Sequence, residues 1–91
     1  MMTRLEIETR VQALTNMQWN FMAYDRFYSC SMTLKSGVEL STTTDHFAAG
    51  WDYGFMNFDY DDVVDIRLDD DTSRPGMVVR NQNGSSFFIA L

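Results

Sequence analysis

Residues 77–91, MVVRNQNGSSFFIAL, read as two strands joined at Asn83-Gly84. The flanking runs are rich in β-branched and aromatic residues, and Asn-Gly is the pair that supplies the two positive-φ positions of a type I′ turn. That turn predicts Val79 opposite Phe88 and Val78 opposite Ile89, with apolar side chains on both faces of the hairpin. A hairpin of this kind is either central in its fold or covered by a second chain.

Working back from the hairpin, the single proline, Pro75, sits in the turn Ser73-Arg74-Pro75-Gly76. Before it, Asp61-Asp62 starts a short turn that leads into a strand over Asp65–Leu68, and Met56, Phe58 and Tyr60 alternate with Phe55, Asn57 and Asp59. Thr44 or Asp45 is a candidate cap for a short helical turn through His46, Phe47 and Ala48, ended by Gly50. Tyr28, Cys30, Met32 and Leu34 alternate with Ser29, Ser31, Thr33 and Lys35 as in a half-buried strand. Lys35-Ser36-Gly37 then has the form of a three-residue hairpin loop with glycine in the left-handed position, and Val38 and Leu40 open the returning strand. Met17–Phe27 is readable either as a further strand or as an aromatic loop.

The N-terminus carries a helix-start signature. Thr3 is the N-cap, Glu6 closes a capping box, and Met2 is placed to staple onto Ile7. Ile7, Val11 and Leu14 form an apolar stripe over three to four turns, and the helix is predicted to end near Asn16. One helix followed by about five antiparallel strands predicts an α+β domain, either a curled sheet around the helix or a small open barrel.

The chain of 91 residues is expected to form one domain, with no repeat or linker to divide it and a net stability of roughly 5 to 13 kcal/mol. With 45% hydrophobic and 14% aromatic residues it is too apolar for intrinsic disorder. Cys30 is the lone cysteine, so no intrachain disulfide can form, and no secretory leader is evident. A cytoplasmic setting is expected, and membrane association is not.

Charge is distributed unevenly. Residues 1–44 balance to zero, whereas 45–71 hold nine aspartates against Arg67 alone, and Arg74 and Arg80 bring the total to −6. A one-sided field of this sign attracts basic partners and repels nucleic acid and anionic lipid. The same stretch interleaves Trp51, Tyr53 and Tyr60 with Asp52, Asp59, Asp61, Asp62, Asp65, Asp69, Asp70 and Asp71. These residues form the candidate partner-binding set, aromatics as buried anchors and carboxylates as steering charges. Alternate residues on a strand stand about 6.6 Å apart, within about twofold of the roughly 3.4 Å axial rise per phosphate in one DNA strand. A row built on Asp59 and Asp61 and continued by Asp65 and Asp69–Asp71 would suit a groove made for a phosphate backbone. The alternative is a solvated acidic face over an aromatic core.

Other chemistries find little support. A calcium loop counted from Asn57 has Asp62 where glycine belongs and Leu68 where the bidentate glutamate belongs, and counting from Asp59 puts Val64 at the glycine. One Cys and one His do not make a zinc site. Cys30, His46 and Asp45 are the residue types of a thiol nucleophile, base and orienter, but Cys30 falls on the apolar phase of its strand and Asp45 reads as a cap. No glycine loop cradles a phosphate, and no catalytic residue, metal or cofactor is expected.

Met77-Val78-Val79 and Gln82-Asn83-Gly84 resemble the C-terminal part of the uracil-DNA glycosylase inhibitor family. In size, acidity and lack of a catalytic set the chain is similar to phage counter-defence proteins, which include anti-CRISPR proteins and anti-restriction DNA mimics. Phe58-Asp59-Tyr60-Asp61-Asp62-Val63-Val64-Asp65-Ile66 resembles the acidic turn of small barrels of the YolD kind, a likeness that bears on fold. The resemblance to phage counter-defence proteins implies a non-enzymatic inhibitor acting in the host bacterial cytoplasm on a basic nuclease, CRISPR effector or repair enzyme, without touching nucleic acid itself. A homo-oligomeric interaction module or small-ligand sponge is the alternative reading.

Overall fold

The computed structural model describes residues 1–24, 27–69, 71 and 73–91. Helix α1 (Arg4–Thr15) starts as the capping box dictates. The Glu6 amide donates to Thr3 Oγ1 and the Thr3 amide to Glu6 Oε1, each at 3.1 Å. It stops at Asn16, whose left-handed backbone (φ 56°) lets its N–H donate to the Gln12 carbonyl at 2.9 Å. Ile7 and Val11 are fully buried and Leu14 half-buried, as the stripe requires.

Five strands follow as an antiparallel meander: β1 (Asn20–Tyr24), β2 (Phe27–Thr33), β3 (Glu39–Thr42), β4 (His46–Trp51) and β5 (Gly54–Asp59). A second meander holds β6 (Val63–Leu68), β7 (Gly76–Asn81) and β8 (Ser86–Ala90). The class is the expected α+β, and neither sheet closes on itself. The strands outnumber the five or so expected because 20–24 and 46–51 are also extended.

At 46–51 the helical turn expected after Asp45 does not form. Thr43 Oγ1 accepts the amides of Asp45 and His46, both at 3.2 Å, and the Thr43 amide donates to the His46 carbonyl at 2.9 Å. Side-chain capping therefore closes a tight turn, and the buried alternation of Phe47 and Ala49 carries the chain on as a strand.

Core side chains come from both sheets. Met32, Leu40, Phe47 and Phe58 line the first, Ile66, Met77, Val79 and Ile89 the second, and all are buried. Phe47 stacks on Phe58 with ring centroids 5.6 Å apart, and Phe58 meets the edge of Phe87 at 5.5 Å, so three rings join the sheets. The helix joins them a second time. On one flank the Met2 amide donates to the Val63 carbonyl at 2.8 Å and Arg10 Nη1 to the Ile66 carbonyl at 2.9 Å. On the other, Glu8 accepts the Thr42 hydroxyl at 2.6 Å.

Two hairpin loops share one geometry. Around 35–37 the Leu34 amide donates to Val38 O and the Gly37 amide to Leu34 O, with Gly37 at φ 94°, as expected. Around 82–84 the Asn81 amide donates to Ser85 O and the Gly84 amide to Asn81 O, with Gly84 at φ 90°. Asn83 does not have positive φ, so the type I′ turn expected from Asn83-Gly84 is replaced by a three-residue loop with glycine in the left-handed position. The register shifts by one residue: Val79 faces Phe87 and Val78 faces Phe88. On the outer side Phe88 lies over Gly76, and the Arg74 guanidinium sits 4.7 Å from its ring centroid. That face of the hairpin is thus partly covered from within the chain. No helix among the described residues is long and apolar enough to cross a membrane.

If the helix is the wedge between the sheets, Ile7→Ala should cost about 2–5 kcal/mol in urea unfolding. Leu5→Ala, on the 71% exposed side of the same helix, should stay within about 0.5 kcal/mol. Equal effects would remove the helix from the core.

Candidate functional site: an acidic pair of turns

The β3–β4 turn presents Asp45. The turn after β5 closes through a 2.9 Å bond from the Asp62 amide to the Asp59 carbonyl and presents Asp59, Asp61 and Asp62. His46 and Asp59 are cross-strand partners, so the two turns lie side by side at one end of the first sheet. Tyr60 ties them together, its hydroxyl set 2.6 Å from the Thr43 carbonyl and 2.9 Å from the His46 carbonyl. The result is an open cavity of about 410 Å³ lined by Asp45, Asp59, Asp61, Asp62 and Tyr60. Burial above all pushes the Tyr60 phenol up to about 12, which keeps it neutral and able to donate.

The other candidate residues stand elsewhere. Trp51 ends β4, and Asp52 and Tyr53 make the β4–β5 turn, a strand length of roughly 16 Å from Asp59 at the usual rise per residue. Tyr53 is 96% exposed. Asp65, on β6, is 3.4 Å from Arg10 Nη1 and faces Arg80 across the strand pair, so its charge is offset locally. Asp69 and Asp71 lie past the far end of β6, and Asp70 lies outside the described residues. Asp71 Oδ1 accepts the Ser73 hydroxyl at 2.7 Å and the Ser73 amide at 3.0 Å, bonds that hold its carboxyl below the usual range. Among the described residues the aspartates therefore make the group of four at the paired turns, the pair Asp69 and Asp71, a separate Asp52 and an ion-paired Asp65, rather than one continuous row. Tyr60, expected as a contact aromatic, is half-buried and works as the fastener of the first cluster.

Asp45, read from sequence as a cap, turns out to be the fourth carboxylate of that cluster. The signal was present in Thr43-Thr44-Asp45-His46, but its meaning depended on which turn packs beside it. Cys30 and His46 do not meet: Cys30 pairs with Thr42, which pairs with Phe47, so His46, next along the strand, points to the opposite face. Burial first, then the Glu8 charge, pushes the Cys30 thiol up, away from the thiolate a nucleophile needs. Around it Arg4 Nε meets Glu8 Oε2 at 3.1 Å and Arg4 Nη2 reaches the Thr42 carbonyl at 3.4 Å, a largely buried network that joins helix to sheet. Among the described residues no three of His, Cys, Asp or Glu are arranged to hold a metal ion.

Tyr60 should titrate near pH 12 in an ultraviolet absorbance titration. The unfolded phenol ionises near 10.0 and the folded one near 12, so Tyr60 contributes stability that is intact below about pH 10 and lost as pH rises to about 12. Tyr60→Phe should abolish the late step and cost about 0.5–1.5 kcal/mol for each hydrogen bond lost in urea unfolding at neutral pH. An unchanged titration curve would show that Tyr60 does not fasten the turns. Comparison with known protein families, with curated proteins and with solved structures finds no match to this chain, so its functional reading stands on this geometry and on the charge distribution.

Proposed function

We propose that the chain is a non-enzymatic inhibitor encoded by a phage or mobile element, acting in the cytoplasm of a host bacterium. Its acidic turns cover a basic nucleic-acid-binding surface of a defence or repair protein, so that the protein serves as a DNA mimic. The observation that carries this reading is the convergence of Asp45, Asp59, Asp61 and Asp62 around one open cavity, with no cation among the residues that line it. Two carboxylates about 6.6 Å apart in water repel by roughly 0.6 kcal/mol, and a partner's lysines and arginines reverse a cost of that kind. The net charge of −6 speeds the approach of such a partner and keeps nucleic acid away.

A second reading has one feature in its favour. Strand β1 is an edge of its sheet, carries no charged residue over 20–24, and leaves Phe21 and Met22 more than 60% exposed on its two faces. Such an edge suits pairing with a second copy of the chain.

The two readings separate in a pull-down of the tagged protein from bacterial lysate at low and at high salt, with mass spectrometry of the retained proteins. The mimic reading expects a basic nucleic-acid-binding protein whose recovery falls with salt. The triple substitution Asp59→Asn, Asp61→Asn, Asp62→Asn should weaken its binding at least about tenfold and flatten the salt dependence. Unchanged binding and salt slope in that variant would end the mimic reading. Recovery of the chain alone, indifferent to salt, would favour the self-associating module.

A further inference from the structure

The outer face of the first sheet holds a second recess, at the opposite end of β4 and β5 from the acidic turns. Its floor is built from absent side chains. Gly50 on β4 and Gly37 in the β2–β3 loop both line it, and a Cβ added at Gly50 would find nothing nearer than 3.9 Å. Glu39 is the cross-strand partner of Gly50 on one side, and Phe55 is its partner on the other. Trp51 at the end of β4 and Asp52 in the adjoining turn close a cavity of about 400 Å³.

The chemistry of this recess is consistent throughout. It offers the ring of Phe55 to solvent at 69% exposure, on the same face of the sheet as Gly50 and Glu39. It holds two carboxylates, and among the described residues neither Glu39 nor Asp52 has an ion pair or side-chain hydrogen bond. Among the described residues no lysine, arginine or histidine lines it. Aromatic faces beside unpaired carboxylates attract a cation, and of the two common cationic side chains arginine fits better. Its guanidinium is planar, weakly hydrated, stacks on rings and presents a fork of donors to a carboxylate, whereas the lysine ammonium is compact and holds its water.

We propose that this recess receives one arginine side chain of a basic partner, with the guanidinium against Phe55 and its fork on Glu39. The proposal rests on the reading of the chain as a binder of basic proteins and names a separate anchor point for it. The acidic turns steer the partner, and the recess holds a single residue of it.

The test is a ¹⁵N–¹H NMR titration of the whole protein with N-acetyl-arginine amide at low salt, beside N-acetyl-lysine amide and the neutral isostere N-acetyl-citrulline amide. The expected result is saturable millimolar binding of the arginine probe that perturbs the amides of 37–41 and 50–55. The citrulline probe should bind about tenfold more weakly or less, because the charge-assisted bond and the cation–π attraction are gone. Gly50→Val, which fills the floor with a side chain suited to a strand, should abolish the response, and Glu39→Gln should weaken it several-fold. Equal binding of citrulline or lysine, perturbation centred on Asp45 and Asp59–Asp62 instead, or an unchanged response in both variants would overturn the proposal. In the triple variant at Asp59, Asp61 and Asp62 the recess is intact. Retained arginine-probe binding there, with partner binding also unchanged, would sink the acidic-turn reading and leave the recess standing.

Discussion

Two open sheets, each apolar on one face, cannot coexist in water unless something seals the gap between them, and here the seal is the N-terminal helix. Ile7 and Val11 are wholly buried in the core that both sheets share. The helix backbone and side chains then bond outward in both directions, Met2 and Arg10 to β6 and Glu8 to Thr42 on β3. Hydrophobic burial supplies the driving force, and these bonds fix how the helix lies. Because β6 is held against α1 at Val63, the preceding turn at Asp59–Asp62 is held too, and the placement of the acidic cluster follows from the packing of a helix that carries none of its charges.

Negative charge gathers in turns for a related reason. A carboxylate on a strand stands among cross-strand neighbours that can offset its charge, and Asp65 shows this, partnered by Arg10 and opposite Arg80. At the turns there is no such neighbour, and the cost of crowding is met by local bonds that constrain the backbone, as with Ser73 on Asp71 and Tyr60 across two turns. Tyr60 is the clearest example. Its ring packs on the core while its hydroxyl serves two carbonyls, so one side chain both stabilises the interior and brings four carboxylates together.

How far the sequence was legible follows from how local each decision is. The helix start at Thr3, its stop at Asn16 and the loop at 35–37 were readable because a few adjacent residues supply all the hydrogen bonds involved. The C-terminal hairpin was readable as a hairpin, yet Asn83-Gly84 serves two loop types that differ by one residue, and the choice is settled by which of Phe87 and Phe88 reaches the rings of the first sheet. Thr43 and Asp45 carry signals common to helix caps and tight turns, and burial of Phe47 and Ala49 decided for the turn. The acidic grouping was the least legible part. Nine aspartates in order along the chain do not reveal which turns will be neighbours, and the recess beside Gly50 depends on a pairing of Glu39 with Gly50 that no single segment encodes.

The strand order has a kinetic side. Every strand pairs with its neighbour in the chain, in a five-strand and a three-strand meander, so each pairing closes only a short loop. The cost of closing a loop grows with the logarithm of its length, and a chain of such local steps is topologically simple. The helix is one exception, since the bond from Arg10 to Ile66 spans 56 residues, and the meeting of the two sheets at Phe58 and Phe87 is another. Long-range ordering in this molecule is thus carried by the docking of the twelve-residue helix and by the Phe58–Phe87 contact that brings the two meanders together.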